Sequence, residues 1–125
     1  MEPMEPMEAK KASPSKINRL KKNYLFRQVY NQGKSLATPR TVLLFRKNEE
    51  NVNRLGITVS KKVGKSVVRH RVKRLYSEAF RSLQEQINYK GFDFVIIARK
   101  KASHLTYHEA SEDLQKLLKR GKFIS

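Results

Sequence analysis

The 125-residue chain has room for one compact domain and not for two ordinary ones. Its 28 lysines and arginines outnumber 11 acids, and the net charge of +17 opposes compaction and favours a polyanionic partner, either nucleic acid or an anionic membrane. With no cysteine, disulfides and thiolate zinc sites are excluded; no apolar run approaches the ~20 residues of a membrane span and no stretch resembles a signal peptide, so composition points to a cytoplasmic nucleic-acid binder.

Residues 1–15, opening MEPMEPME, are too polar to bury anything and are read as a disordered tail before a domain over 16–125. Residues 17–33 hold a first helix, with Leu25, Phe26, Val29 and Tyr30 on one face, Asn23 as N-cap and Gly33 as C-terminal stop. Phe26 and Tyr30, one turn apart, have two readings: core aromatics, or a platform on which bases stack. A short strand is expected at 35–37, before Pro39. Better strands follow at 41–47 (TVLLFRK) and 54–60 (RLGITVS), separated by NEENVN and expected to pair as an antiparallel hairpin. Gly64 then breaks the chain, with Lys61, Lys62 and Lys65 around the bend.

Residues 60–81 carry eight cations and one acid, Glu78. Yet Val68, Val72, Leu75, Ala79 and Leu83 recur at the spacing of one helix face, with Tyr76 and Phe80 at its margin. Arg69, His70, Arg71, Lys73, Arg74 and Arg81 fill the remaining arc. The pattern predicts a helix over 66–87, apolar on one side and cationic on the other. Residues 92–99 (FDFVIIAR) then read as a central strand, parallel to 54–60 across the basic helix. In the last helix Thr106 and Glu109 have capping-box spacing, Glu112 and Asp113 add charge favourable to the helix dipole, Ala110, Leu114, Leu117 and Leu118 form the apolar face, and Gly121 closes it. The order αβββαβα predicts an α+β sandwich on one four-stranded mixed sheet.

The chain shows no catalytic machinery. His104 and His108 have metal-pair spacing but straddle a helix start, with only Glu109 or Glu112 nearby, so no metal site is expected. The scattered glycines make neither a phosphate-binding loop nor a dinucleotide fingerprint, and no serine sits in a nucleophile-elbow setting. The basic helix is the main signal. Its cations mostly lack i, i+4 acids and repel one another, whereas arginine grips phosphate bidentately.

The stretch VSKKVGKSVVRHRVKRLYSEAFR closely resembles the signature of the bacterial ribonuclease P protein subunit, with His70 where Arg-Asn-Arg is the usual core. LKKNYLFRQVYNQGKS, RLGITVSKK and FDFVIIARKKASHLTYHE extend the resemblance from Leu20 to Leu118. It implies a ribosomal protein S5 domain 2-like fold with a left-handed crossover at the basic helix. It also implies a bacterial ribonucleoprotein endoribonuclease that removes the 5′ leader of precursor tRNA. The catalytic centre and its Mg²⁺ would belong to the partner RNA, with no cofactor on the protein and no protein partner evident. By the family pattern, Lys61, Lys62, Lys65, Arg69, His70, Arg71, Lys73 and Arg74 are expected to contact the catalytic RNA. Phe26, Tyr30 and Leu44, with Arg69 and His70, are expected to line the cleft for the leader. Leu44 stands where the family often has an aromatic, and Phe45 is expected to face the opposite way. The rival readings are a ribosomal or other structural RNA-binding protein and a basic DNA-binding domain, although a helix offering mostly cations suits backbone contacts better than base reading.

Overall fold

The structure, a computed structural model, describes residues 16–125; the tail expected over 1–15 lies outside them. In chain order the elements are β1 (Asn18–Arg19), α1 (Asn23–Gln32), β2 (Lys34–Ala37), β3 (Thr41–Lys47), β4 (Arg54–Val59), a 3-10 turn (Lys61–Val63), α2 (Ser66–Leu83), a second 3-10 turn (Gln84–Gln86), β5 (Phe92–Ala98), a third (Lys100–His104) and α3 (Tyr107–Arg120). The α+β class and the order of the longer elements are as predicted. The sheet has five strands rather than four, because the two-residue β1 pairs in parallel with the start of β4.

Strand order is β1-β4-β5-β3-β2. β4 and β5 run parallel, as expected for strands joined through a helix. The predicted hairpin of residues 41–47 with 54–60 does not form: β5 lies between β3 and β4, antiparallel to the first. The physical reason is the apolarity of β5. Phe94 and Ile96 face one side of the sheet and Val95 the other, all with no exposure, so this strand needs neighbours along both edges and cover on both faces. The connection between β3 and β4 spans the start of β5, held by the Asn48 N–H donating to the Gly91 carbonyl (2.7 Å) and the Phe92 N–H donating to Asn53 (2.9 Å).

One face of the sheet packs on α2 and α3 through Leu43, Leu55, Phe94 and Ile96, and the other packs on α1 through Leu44 and Val95. α2 meets both the sheet and α3, which widens its buried arc. Tyr76 and Phe80, expected at the margin of the apolar stripe, are fully buried, while Val68 and Leu75 are only half-buried. The helix ends at Leu83, short of the predicted Ile87.

One further terminus differs from expectation, while Gly33 and Gly121 stand at the ends of α1 and α3 as expected. Asn23 is the first residue of α1 rather than its cap; Lys22 occupies that place without a side-chain hydrogen bond. Gly33 is extended (φ −82°), and its lack of a side chain serves close approach: a Cβ there would lie 2.5 Å from the Val29 carbonyl oxygen and 2.8 Å from that of Phe45. At the end of α3 the left-handed residue is Lys122 (φ 66°), not Gly121. The Lys122 N–H donates to the Lys119 carbonyl and the Phe123 N–H to the Leu118 carbonyl, the bond pair of a left-handed helix cap. Gly121 leaves room for the Phe123 ring, which would meet a Cβ at 2.9 Å.

A buried polar chain fixes the basic helix on the sheet. Asp113 lies on the apolar face of α3, 2% exposed, and accepts from the Arg40 guanidinium through both carboxylate oxygens (3.1 and 3.0 Å) and from Thr41 (2.8 Å). The Thr41 hydroxyl proton being so used, the Tyr76 hydroxyl donates to Thr41 at 2.6 Å. Burial pushes the Tyr76 phenol up to about 12. Burial also works to raise the Asp113 carboxyl, but Arg40, Thr41 and Thr38 outweigh it and hold the group below its ordinary value. The expected capping box of Thr106 and Glu109 is present, whereas Asp113 serves this network and not the helix dipole alone.

Candidate nucleic-acid interface

α1 and α2 flank the same stretch of β4 from opposite sides of the sheet. On the α1 side, Phe26 lies over Gly56, where an added Cβ would come within 2.5 Å of its ring; only glycine lets the ring settle on the strand. One turn on, the exposed Tyr30 is tethered across β4 by a 2.9 Å hydrogen bond between its hydroxyl and that of Thr58. The two rings stand 6.4 Å apart and 48° inclined. They share a pocket of about 350 Å³ with Asn23, Arg27, Ile57 and Thr58.

Ile57 and Thr58 also wall the next pocket, about 290 Å³, whose far side is Arg69, His70 and Lys73 of α2. His70 and Lys73 in turn wall a third, about 390 Å³, with Arg19, Arg74 and Arg81. The three form one groove running from aromatic α1, over the tip of β4, to the cationic face of α2. Glu78 is the one acid among its lining residues. Crowding of cations is visible at Arg19, whose guanidinium is lowered from its ordinary value by burial and by the neighbouring Arg81. At the start of α2, Lys61, Lys62 and Lys65 are exposed; the helix has no side-chain cap and no acid in its first turn. Its positive dipole end and these lysines together favour an anion.

Aromatic rings thus stand at one end of the groove and cations along the rest. Residues 15–122 match the protein family described as Ribonuclease P. The ribonuclease P protein component of Clostridium kluyveri is 47% identical over 106 residues, covering 84% of this chain and 95% of the relative. That of Natranaerobius thermophilus is 44% identical over 110 residues, covering 88% and 95%.

The chain belongs to the ribonuclease P protein family.

Solved structures of family members share the fold. The RNase P protein of Staphylococcus aureus matches with a TM-score of 0.78 at 35% identity, over 88% of this chain and all of the other. That of Thermotoga maritima, solved with 1-(4-fluorophenyl)-2-thiourea, matches with a TM-score of 0.74 at 42% identity, over 82% and 98%.

The residues expected to act in this ribonuclease P protein are not equally placed. Phe26, Tyr30, Arg69, His70, Lys73 and Arg74 line the groove. Leu44 does not. It is 8% exposed and packed with Leu20, Val29 and Val95 beneath α1, so the third cleft position is closed by the helix. Phe45 faces the other way, as expected, and packs edge-on against Phe123. Arg71 points to the opposite flank of α2 and donates to the backbone carbonyls of Leu105 (2.5 Å) and Ser103 (3.1 Å). Its guanidinium clamps the loop before α3. Arg69 divides its role, lining the groove while its Nε donates to the Gly64 carbonyl at 3.1 Å. Sequence reasoning missed Thr58, which carries no charge or motif, and Arg19, which reaches the groove only because β1 pairs with β4.

A larger cavity, about 780 Å³, opens between Pro39, Lys101 and α3, but its acids Glu109 and Asp113 are bound to Arg40. Among the described residues no group of three or more His, Cys, Asp or Glu could hold a metal, and no helix is long and apolar enough to cross a membrane.

Proposed function

We propose that this chain is the protein subunit of a bacterial ribonuclease P ribonucleoprotein, holding the catalytic RNA on the cationic face of α2 and the 5′ leader of precursor tRNA in the groove beside it. The observation that carries this reading is the continuity of the groove. Aromatic rings at the α1 end suit unpaired bases, and cations at the α2 end suit phosphates. A leader entering past Phe26 and Tyr30 crosses β4 at Thr58 and meets Arg69 and His70, while Lys73, Arg74 and the 61–65 lysines face the larger RNA. Hydrolysis of the phosphodiester is the work of the RNA and its Mg²⁺; the protein neutralises phosphate repulsion and positions the substrate.

Reconstitution tests this. Mixed with a bacterial ribonuclease P RNA and precursor tRNA at low Mg²⁺, the protein is expected to accelerate leader removal over the RNA alone. Cleavage no faster with the protein than without it would overturn the assignment.

A further inference from the structure

A second aromatic pocket lies away from the groove, at the end of the sheet where β3 finishes and β5 begins. It encloses about 390 Å³ between Phe45, Phe92 and Tyr89, with Phe123 behind them. The Phe123 ring is buried and touches Phe45 and Phe92 edge-on at 4.9 and 5.0 Å, which fixes both rings. Tyr89 stands edge-on to Phe92 at 6.5 Å and is 53% exposed. Its backbone is anchored, the Tyr89 carbonyl accepting from the Asn53 amide at 2.8 Å. Core packing accounts for Phe123 and for the inner faces of Phe45 and Phe92. It does not account for a half-exposed tyrosine in a preformed cavity.

The charges around the cavity are of one sign. Lys34, Arg46, Lys47 and Lys122 line it, and none of its lining residues is acidic. Lys122 is also the one non-glycine with positive φ among the described residues. Glycine would occupy that turn with less strain; the lysine found there adds a cation to the rim. Rigid aromatic walls within a ring of cations are the two components of a single-strand binding surface: stacking for the base and charge for the flanking phosphates.

We propose that the Phe45–Tyr89–Phe92 pocket is a second subsite for single-stranded RNA, in which an unpaired base stacks on Tyr89 and Phe92 while its phosphates lie on Lys34, Lys47 and Lys122. It rests on the reading of this chain as an RNA-binding subunit, but not on what fills the groove along β4. That groove lies on the other side of β5 in the sheet, so the two sites bind separate nucleotides.

The chain has no tryptophan, so Tyr89→Trp places a lone reporter in the pocket of the full-length protein. Titrated with a short oligoadenylate, its emission is expected to be quenched saturably. Tyr30→Ala in the same background, which alters the groove, should leave that quench unchanged. Lys122→Gly should weaken it severalfold while raising the melting temperature, so the loss cannot be blamed on unfolding. Binding of a fluorescently labelled oligoadenylate, followed by anisotropy, separates the failures. Anisotropy that rises with no change in tryptophan emission sinks this subsite and leaves the RNA-binding reading intact; no rise at all sinks both. Inorganic polyphosphate quenching as well as oligoadenylate, or loss of the quench in Tyr30→Ala, would also overturn the proposal, since neither outcome is base stacking in this pocket.

Discussion

Arg69, Arg71 and Lys73 are alike in sequence and unlike in place. A helix turns about 100° per residue, so cations two positions apart leave on different flanks. Lys73 stands exposed over the groove, whereas Arg71 is half-buried on its two carbonyls. Removing a charged donor from buried acceptors leaves them unsatisfied. Arg71→Ala is therefore expected to cost about 1–2 kcal/mol of stability. Lys73→Ala should stay within about 0.5 kcal/mol of wild type yet weaken binding to ribonuclease P RNA. Denaturant unfolding and RNA titration of both variants check this. Wild-type stability in Arg71→Ala would refute its clamp role, and unchanged affinity in Lys73→Ala would remove it from the interface. Charge was legible at all three positions; the carbonyls of residues 103 and 105, which claim one of them, were not. Leu44 shows the same limit in apolar form. Its alternation assigned the sheet face correctly, but nothing in the strand said how far α1 would cover it.

Among the elements, α2 and α3 share an apolar core and are also linked through the Tyr76–Thr41–Asp113–Arg40 chain. The Asp113 carboxyl is held below its ordinary value, 3.8, in the folded protein. The stabilisation from its charged form is thus complete at neutral pH and is lost as pH falls below that value through the folded pKa. Asp113→Asn keeps the shape and removes the charge that partners Arg40. It should destabilise by about 2–4 kcal/mol at neutral pH, and the gap to wild type should narrow as pH falls below 3.8. Unfolding free energies across that range test it; a gap independent of pH would show that the charge is immaterial. A sequence signal for this pair existed. Asp113 falls three residues after Ala110 and four before Leu117, on the stripe that becomes buried, where an acid needs a partner. Nothing marked Arg40 as that partner, since it comes from the turn between β2 and β3.

Over the whole molecule, the net charge of +17 is unevenly relieved: the groove lining holds one acid, and the acids Asp93 and Asp113 are engaged in ion pairs with Arg54 and Arg40. Binding through many phosphates releases counterions. The logarithm of affinity for ribonuclease P RNA should thus fall steeply and linearly with that of salt concentration, each contact contributing roughly 0.7–0.9 to the slope. Lys73→Ala should reduce that slope by about one contact's worth. A flat salt response would show that the cationic face is not the interface.

Local pattern by itself determined the longer elements, the two-faced basic helix and the capping box of the last helix, because each depends on periodicity or on residues a few positions apart; the parallel relation of β4 to β5 followed from the helix that joins them. The RHR stretch and its flanking blocks were enough for the family. Tertiary structure decided the rest. β5 displaced the expected hairpin because a strand apolar on both faces needs two neighbours, a competition among strands that no single strand records. It also decided which cations stay available, since helix rotation and distant carbonyls, not charge, separate Arg71 from Lys73. The groove exists only where Gly56 lets Phe26 lie on β4 and Thr58 meets both helices, a junction of segments far apart in the chain.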